Sequence, residues 1–168
     1  IMWFGTYLSY ISFHALFIII FFIAIYEMWK IRKGSSAIIP YIYIMLPLFL
    51  IHKIESRNLI LYMFVLTWSF DTFAYVFGVR FGKHKIIPSI SPKKSWEGFV
   101  GGFVLTLIAG YIIIILSLIP LLEKYEKDYS LYLITFMIPF TATIGDFIIS
   151  YYKRIAKVKD SGSFIPGH

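Results

Sequence analysis

Long apolar stretches alternate with short polar ones along the chain. Five of the apolar stretches stand out by length: Leu8–Trp29, Ala37–Ile51, Leu59–Val79, Phe99–Leu122 and Tyr129–Tyr152. At about 1.5 Å of helical rise per residue, roughly 20 residues cross the hydrocarbon core, so four of these are long enough to span it. Ala37–Ile51 is shorter and carries Pro40 and Pro47. It reads as a span that is tilted, kinked or re-entrant. The pattern therefore predicts an all-α fold, a polytopic transmembrane helix bundle of about five spans with cytoplasmic loops. Residues 1–168 read as one transmembrane domain, with less distinctive spans over 8–58 and the chemistry over 59–168. The first stretch has neither a charged leader nor a small-residue cleavage site, so it does not read as a removable signal peptide. No solenoid-period repeat and no low-complexity linker interrupts the pattern.

Composition supports the same solvent. Of the 168 residues, 59% are hydrophobic, 20% aromatic and only 15% charged. A soluble domain carries roughly 25% charged residues and needs them to stay dispersed. Disorder is excluded by the same figures, since it requires low hydrophobicity and high charge. The absence of cysteine excludes a disulfide scaffold or a thiolate metal site.

Sixteen Lys and Arg against nine Asp and Glu give a net charge of +7. In a soluble protein that excess would point to nucleic acid, but here the basic residues lie between apolar runs, where membrane-flanking roles come first. If all five stretches cross, twelve basic residues fall on one side, after the first, third and fifth stretches. The other side holds Lys53, Arg57, Lys124 and Lys127, partly neutralised by Glu55, Glu123, Glu126 and Asp128. That asymmetry places the first group in the cytoplasm, with the start of the chain outside and its end inside.

Two carboxylates fall within predicted spans, where lipid makes ionisable groups costly and so marks them as functional candidates. Asp71 lies nine residues before Arg80, and Asp146 seven before Lys153. Both therefore sit about 10–14 Å in from the cytoplasmic boundary, a depth that suits one shared water-filled cavity. A structural aspartate paired with a buried cation or tyrosine is the bland alternative. Asp146, Ser150 and Lys153 share a helical face at i, i+4 and i+7. The tail continues through Arg154, Lys157 and Lys159-Asp160-Ser161-Gly162 to Pro166-Gly167-His168.

The longest cytoplasmic loop reads FGKHKIIPSISPKKSWEGFVGG, from Phe81 to Gly102. Ser91-Pro92 is read as a helix N-cap with proline in the first turn. Lys93, Lys94 and Ser95 then surround a helix N-terminus whose free N–H groups favour an anion, and a phosphate site is the preferred reading. Gly98, Gly101 and Gly102 permit close approach of a helix or ligand. Gly78–His84 resembles a P-loop but has the wrong spacing and ends in His, so that chemistry is rejected. His14 is read as a packing residue. His52 and His84 have no ligand partners at metal spacing, and Glu27 pairs locally with Lys30. Together these residues describe a cytoplasmic polar pocket with carboxylates for a hard cation and lysines for phosphates.

From about Trp68 to His168 the sequence resembles the phosphatidate cytidylyltransferase, or CDP-diacylglycerol synthase, family. The resemblance rests on Asp71-Thr72 with Ala74-Tyr75 and Gly78, Gly82-Lys83, Ser91 through Gly98, and Gly145-Asp146. It extends to Ser150 with Lys153-Arg154, Lys159 through Gly162, and Pro166-Gly167-His168. Upstream, Tyr26 through Trp29 and Leu46-Pro47-Leu48 match only loosely.

The resemblance implies transfer of CMP from CTP to phosphatidic acid, giving CDP-diacylglycerol and pyrophosphate, with Mg²⁺. It implies catalytic roles for Asp71, Asp146, Lys159 and Asp160, with Asp146 and Asp71 at the metal. Substrate contacts are implied for Lys93, Lys94, Ser95, Ser150, Lys153, Arg154, Ser161 and His168. The expected partners are CTP, phosphatidic acid, membrane lipids and a second copy in a homodimer, with no nucleic acid. The expected place is the bacterial inner (plasma) membrane, with the active site facing the cytoplasm. The family continues past Pro-Gly-His with Gly-Gly-x-x-Asp-Arg-x-Asp, so the chain is expected to be an internal fragment lacking part of the metal site. Competing readings are a CTP-dependent isoprenoid-lipid enzyme, such as a CDP-archaeol synthase or polyprenol kinase, and a small ion-coupled transporter. The transporter would need neither the Ser-Pro-Lys-Lys loop nor the Lys-Asp-Ser-Gly tail.

Overall fold

The computed structural model describes residues 10–31, 38–54, 56–116 and 129–155. These form five helices: α1 Tyr10–Ile31, α2 Ile38–Ile51, α3 Arg57–Phe81, α4 Trp96–Ile115 and α5 Ser130–Ile155. Among the described residues there is no strand, only one isolated antiparallel bridge. The fold is a membrane helix bundle, as the apolar pattern predicts. Helices α3, α4 and α5 are each long and apolar enough to cross a membrane, while α1 and α2 contribute the shorter apolar stretches Phe13–Tyr26 and Tyr41–Ile51. With 14 residues and Pro47 inside it, α2 extends only about 21 Å, against a hydrocarbon core of roughly 30 Å.

The chain forms two compact units. One comprises Ile1–Arg57 with Ile149–His168. In it α1 packs against α2, and Phe13 and Phe17 are buried. Both phenylalanine rings meet His52 edge-on at 6.1 Å. His14 stacks on His52 with ring centroids 4.8 Å apart and Nδ1 atoms 2.7 Å apart. One of the two nitrogens therefore donates and the other accepts. His14 is thus a packing residue, as the sequence reading has it, and its partner is His52: the turn that ends α2, with Lys53 N–H donating to Leu50 C=O at 2.9 Å, brings His52 onto α1. Burial, and then the neighbouring His14, hold the His52 imidazole below its ordinary pKa. The side chains of Glu27 and Lys30, read as a local pair, lie outside the described residues.

The other unit is Asn58–Ile148. Its apolar core joins Tyr62 and Leu66 of α3, Ile113 and Ile114 of α4, and Leu131 and Ile138 of α5. Inside it the Tyr62 and Thr135 hydroxyls are bonded to each other. Thr135 already donates to the Leu131 carbonyl at 2.7 Å, so Tyr62 is the donor to Thr135. Thr106 likewise donates to the Gly102 carbonyl at 2.7 Å, which satisfies a hydroxyl where water is absent.

Small residues repeat every fourth position on both helices of the α3–α4 pair, Ala74, Gly78 and Gly82 on one chain segment and Gly98, Gly102, Thr106 and Gly110 on the other. The latter four are the buried stripe of α4, with Ile113 and Ile114. The crossing is so close that a Cβ on Gly98 would stand 2.7 Å from the Ala74 carbonyl oxygen and 3.0 Å from Gly78 Cα. One on Gly102 would stand 2.9 Å from the Ala74 Cβ. Only glycine lets the backbones approach this far. Elsewhere α4 meets α5 through rings, with Phe99–Phe140, Phe103–Phe136 and Phe103–Phe140 centroids all 5.5 Å apart, and through Gly110, where a Cβ would stand 2.4 Å from Thr135 Cγ2.

Candidate active site

The segment after α3 folds back on itself. Gly82 N–H donates to the Gly78 carbonyl at 3.1 Å as the helix ends. Lys85 and Ser95 then pair in the antiparallel bridge, with Ile86 N–H on Lys94 C=O at 3.2 Å and Trp96 N–H on His84 C=O at 2.9 Å. Pro88, Ser89, Ser91 and Pro92 supply the reversal between them.

Ser91-Pro92 does not cap the helix as expected. Lys94 N–H donates to Ser91 C=O at 3.3 Å, which makes Ser91–Lys94 a tight turn with Pro92 in its second position. Proline's fixed φ serves that position as well as a first helical turn. The N-cap is Ser95, extended at φ −125° and ψ 155°, and its Oγ accepts the Gly98 N–H at 3.2 Å. Trp96 and Gly98 therefore spend their N–H groups within the protein, and the anion-binding helix end expected from the sequence is not presented by them. Glu97 adds a carboxylate there instead. It accepts the His84 backbone N–H on both oxygens, at 3.1 and 3.2 Å, and its Oε1 lies 2.6 Å from His84 Nδ1. This clamp ties the start of the loop to the first turn of α4.

Between this loop and the helices lies a cavity of about 720 Å³. Helix α3 lines it with Phe70, Asp71, Ala74, Tyr75 and Gly78, positions that recur at helical spacing on one face. The loop contributes Lys85, Ser91, Pro92, Lys93, Lys94 and Ser95; α4 adds Gly98 and Phe99, and α5 adds Thr143 and Asp146. The two mid-helix carboxylates thus share one cavity, as their similar depth in the sequence predicts. Lys94 Nζ forms an ion pair with Asp146 Oδ2 and also lies 5.7 Å from the Phe147 ring centroid. Asp146 and Lys94 are both near enough for their charges to act on Asp71. Among the described residues there is no cluster of three or more His, Asp or Glu arranged to hold a metal.

Of the residues singled out from sequence, Asp71, Asp146, Lys93, Lys94 and Ser95 are brought together here. Ser95 is buried, and its Oγ serves the helix cap. Ser150, Lys153 and Arg154 are on α5 but belong to the other compact unit and do not line this cavity. Lys159, Asp160, Ser161 and His168 lie outside the described residues. Lys85 lines the cavity without having been singled out, and the His84–Glu97 clamp was also missed. The legible signal for both was the density of turn residues between Lys85 and Ser95.

The profile of the cytidylyltransferase family matches residues 1–168. The chain belongs to the cytidylyltransferase family. This family member is 42% identical over 135 residues to the phosphatidate cytidylyltransferase of Rickettsia typhi, a match covering 78% of this chain and 58% of that protein. It is 38% identical over 119 residues to the phosphatidate cytidylyltransferase of Staphylococcus haemolyticus, covering 68% of this chain and 42% of that protein. The chain spans about half the length of the curated relatives it matches. No solved structure matches it.

Proposed function

We propose that this chain carries the phosphate-facing part of a phosphatidate cytidylyltransferase. The observation that carries the reading is the shared cavity, in which Asp71 and Asp146 face Lys85, Lys93 and Lys94, in a family whose matched relatives bear that name. In the reaction, a phosphate oxygen of phosphatidic acid attacks the α-phosphorus of CTP. The bond from that phosphorus to the oxygen bridging to the β-phosphate breaks, and pyrophosphate leaves. The attacking phosphate is already ionised at neutral pH, so no general base is required. What the site must do is bring two anions together and stabilise the leaving group.

The donor chemistry of the cavity fits Mg²⁺, which takes one or two carboxylates and completes its shell with water and substrate phosphates. Asp71 and Asp146 would hold it, and the bound ion would neutralise phosphate charge at the reacting centre. Lys85, Lys93 and Lys94 screen the triphosphate and the lipid phosphate from each other. Their loop is held in register by the bridge to Ser95 and by the His84–Glu97 clamp, which lowers the cost of ordering three flexible cations around a substrate. Phe70, Tyr75, Val79 and Phe99 give the remaining wall of the cavity an apolar character suited to the glycerol and acyl end. The one-sided distribution of Lys and Arg supports a cytoplasm-facing site in a bacterial plasma membrane.

The test is Mg²⁺-dependent formation of CDP-lipid and pyrophosphate from CTP and phosphatidate by the protein in lipid nanodiscs. Asp146→Asn is expected to abolish it with helical content intact. Retained activity in that variant, or product formed from a polyprenol and none from phosphatidate, would overturn the reading.

A further inference from the structure

We propose that Lys94 is a stand-in cation for the metal site. It neutralises Asp146, and where a divalent ion takes that carboxylate it moves to the substrate phosphates. The inference rests on the reading of Asp146 as a metal ligand.

Three observations carry it. Lys94 Nζ is ion-paired with Asp146 Oδ2, so the protein's own cation occupies the oxygen a metal would need. The backbone of Lys94 is fixed on both sides, its N–H on Ser91 C=O at 3.3 Å and its C=O accepting Ile86 N–H at 3.2 Å. Only the four-carbon side chain is free to change partner. Both ends of the pair are accessible, with 27% of the Lys94 side chain and 50% of the Asp146 side chain exposed. A pair exposed to this extent exchanges partners more readily than a buried one.

The electrostatics favour the exchange. Asp71 faces the same cavity, and two carboxylates that share a cavity repel each other unless a positive charge lies beside them, which Lys94 supplies at Asp146. A dication on Asp146 repels an ammonium held against the same carboxylate. The ammonium has three donors and no acceptor, and a phosphate oxygen gives it a new partner. Metal and nucleotide should therefore bind with positive coupling, because each favours the same displacement of Lys94.

The experiment measures Mn²⁺ binding by electron paramagnetic resonance on the protein in nanodiscs, without nucleotide, and nucleotide binding separately. Mn²⁺ shares the oxygen-ligand preference of Mg²⁺. Lys94→Met is expected to tighten Mn²⁺ binding by about threefold to fivefold, the range for removing a half-exposed pair, and to weaken CTP binding. Lys94→Arg, which keeps the charge, is expected to stay close to the parent in Mn²⁺ affinity. Lys93→Met, on the same cavity wall, is expected to weaken CTP binding without tightening Mn²⁺. Unchanged or weaker Mn²⁺ binding in Lys94→Met, or equal tightening in both Met variants, would overturn the stand-in role. Asp146→Asn separates the two levels. If it binds Mn²⁺ as the parent does, the metal reading itself fails; if it loses Mn²⁺ while Lys94→Met changes nothing, only the exchange fails.

Discussion

In its first half, at the cavity end, helix α4 meets its two neighbours by opposite means. Against α3 it presents Gly98 and Gly102, and the backbones come so close that a single added methyl group would strike Ala74 or Gly78. Against α5 it presents Phe99 and Phe103, whose rings meet Phe136 and Phe140. In lipid, burying apolar rings gains little by itself, because the solvent is already apolar; association depends on contact quality. A ring contact can shift and keep most of its dispersion attraction. A glycine contact has no side chain to rearrange. The cavity is built on the rigid contact, since Ala74, Gly78 and Gly98 all line it. Precision is therefore concentrated where the charged groups converge, and the phenylalanine side supplies bulk.

That contrast can be attacked in order of expected effect. Asp146→Asn should lower CDP-lipid formation by about 10²-fold or more and leave thermal unfolding in nanodiscs nearly unchanged, which separates chemistry from packing in one measurement. Gly98→Val should damage both. With its new side chain against the Ala74 carbonyl oxygen and Gly78 Cα, it is expected to destabilise by about 3 kcal/mol and to abolish product formation, read by unfolding temperature and turnover together. Phe103→Leu probes the other face and should cost about 1 kcal/mol with turnover kept within about twofold. If Phe103→Leu proved as damaging to turnover as Gly98→Val, the division between a rigid and an adaptable face would fail. Tyr62→Phe removes the donor to Thr135 deep in the core and should cost only about 0.6 kcal/mol, the usual size of such a bond between membrane helices.

Much of this organisation is legible in the sequence. Asp71 and Asp146 stand out because a carboxylate in an apolar run has few reasons to be there other than chemistry. The four-residue spacing of Gly98, Gly102, Thr106 and Gly110 is likewise visible to the eye. The partner of each stripe is not, because spacing within one helix does not say which helix it faces. The same gap explains the misplaced helix start. Ser91-Pro92 and Ser95 both satisfy local capping preferences, and the choice was made by a long-range contact, the bridge that takes Trp96 N–H to His84 C=O. His14 and His52 repeat the lesson at 38 residues' separation: each looked like a lone polar residue, and the turn after α2 stacks them.

The sequence by itself determined the solvent, the helical class and the inventory of charged groups, since these follow from composition and from runs long enough to cross a bilayer. Family membership follows from the order of residues alone. Tertiary structure decided which charges meet. Lys94 and Asp146 are 52 positions apart and form an ion pair, Lys85 joins the cavity through the bridge to Ser95, and the start of α4 spends its Trp96 and Gly98 N–H groups on His84 and Ser95. The physical reason is that hydrophobicity acts additively along a chain and can be summed position by position. A site is a coincidence of groups in space, and here it is fixed by how closely two glycine-striped helices pack.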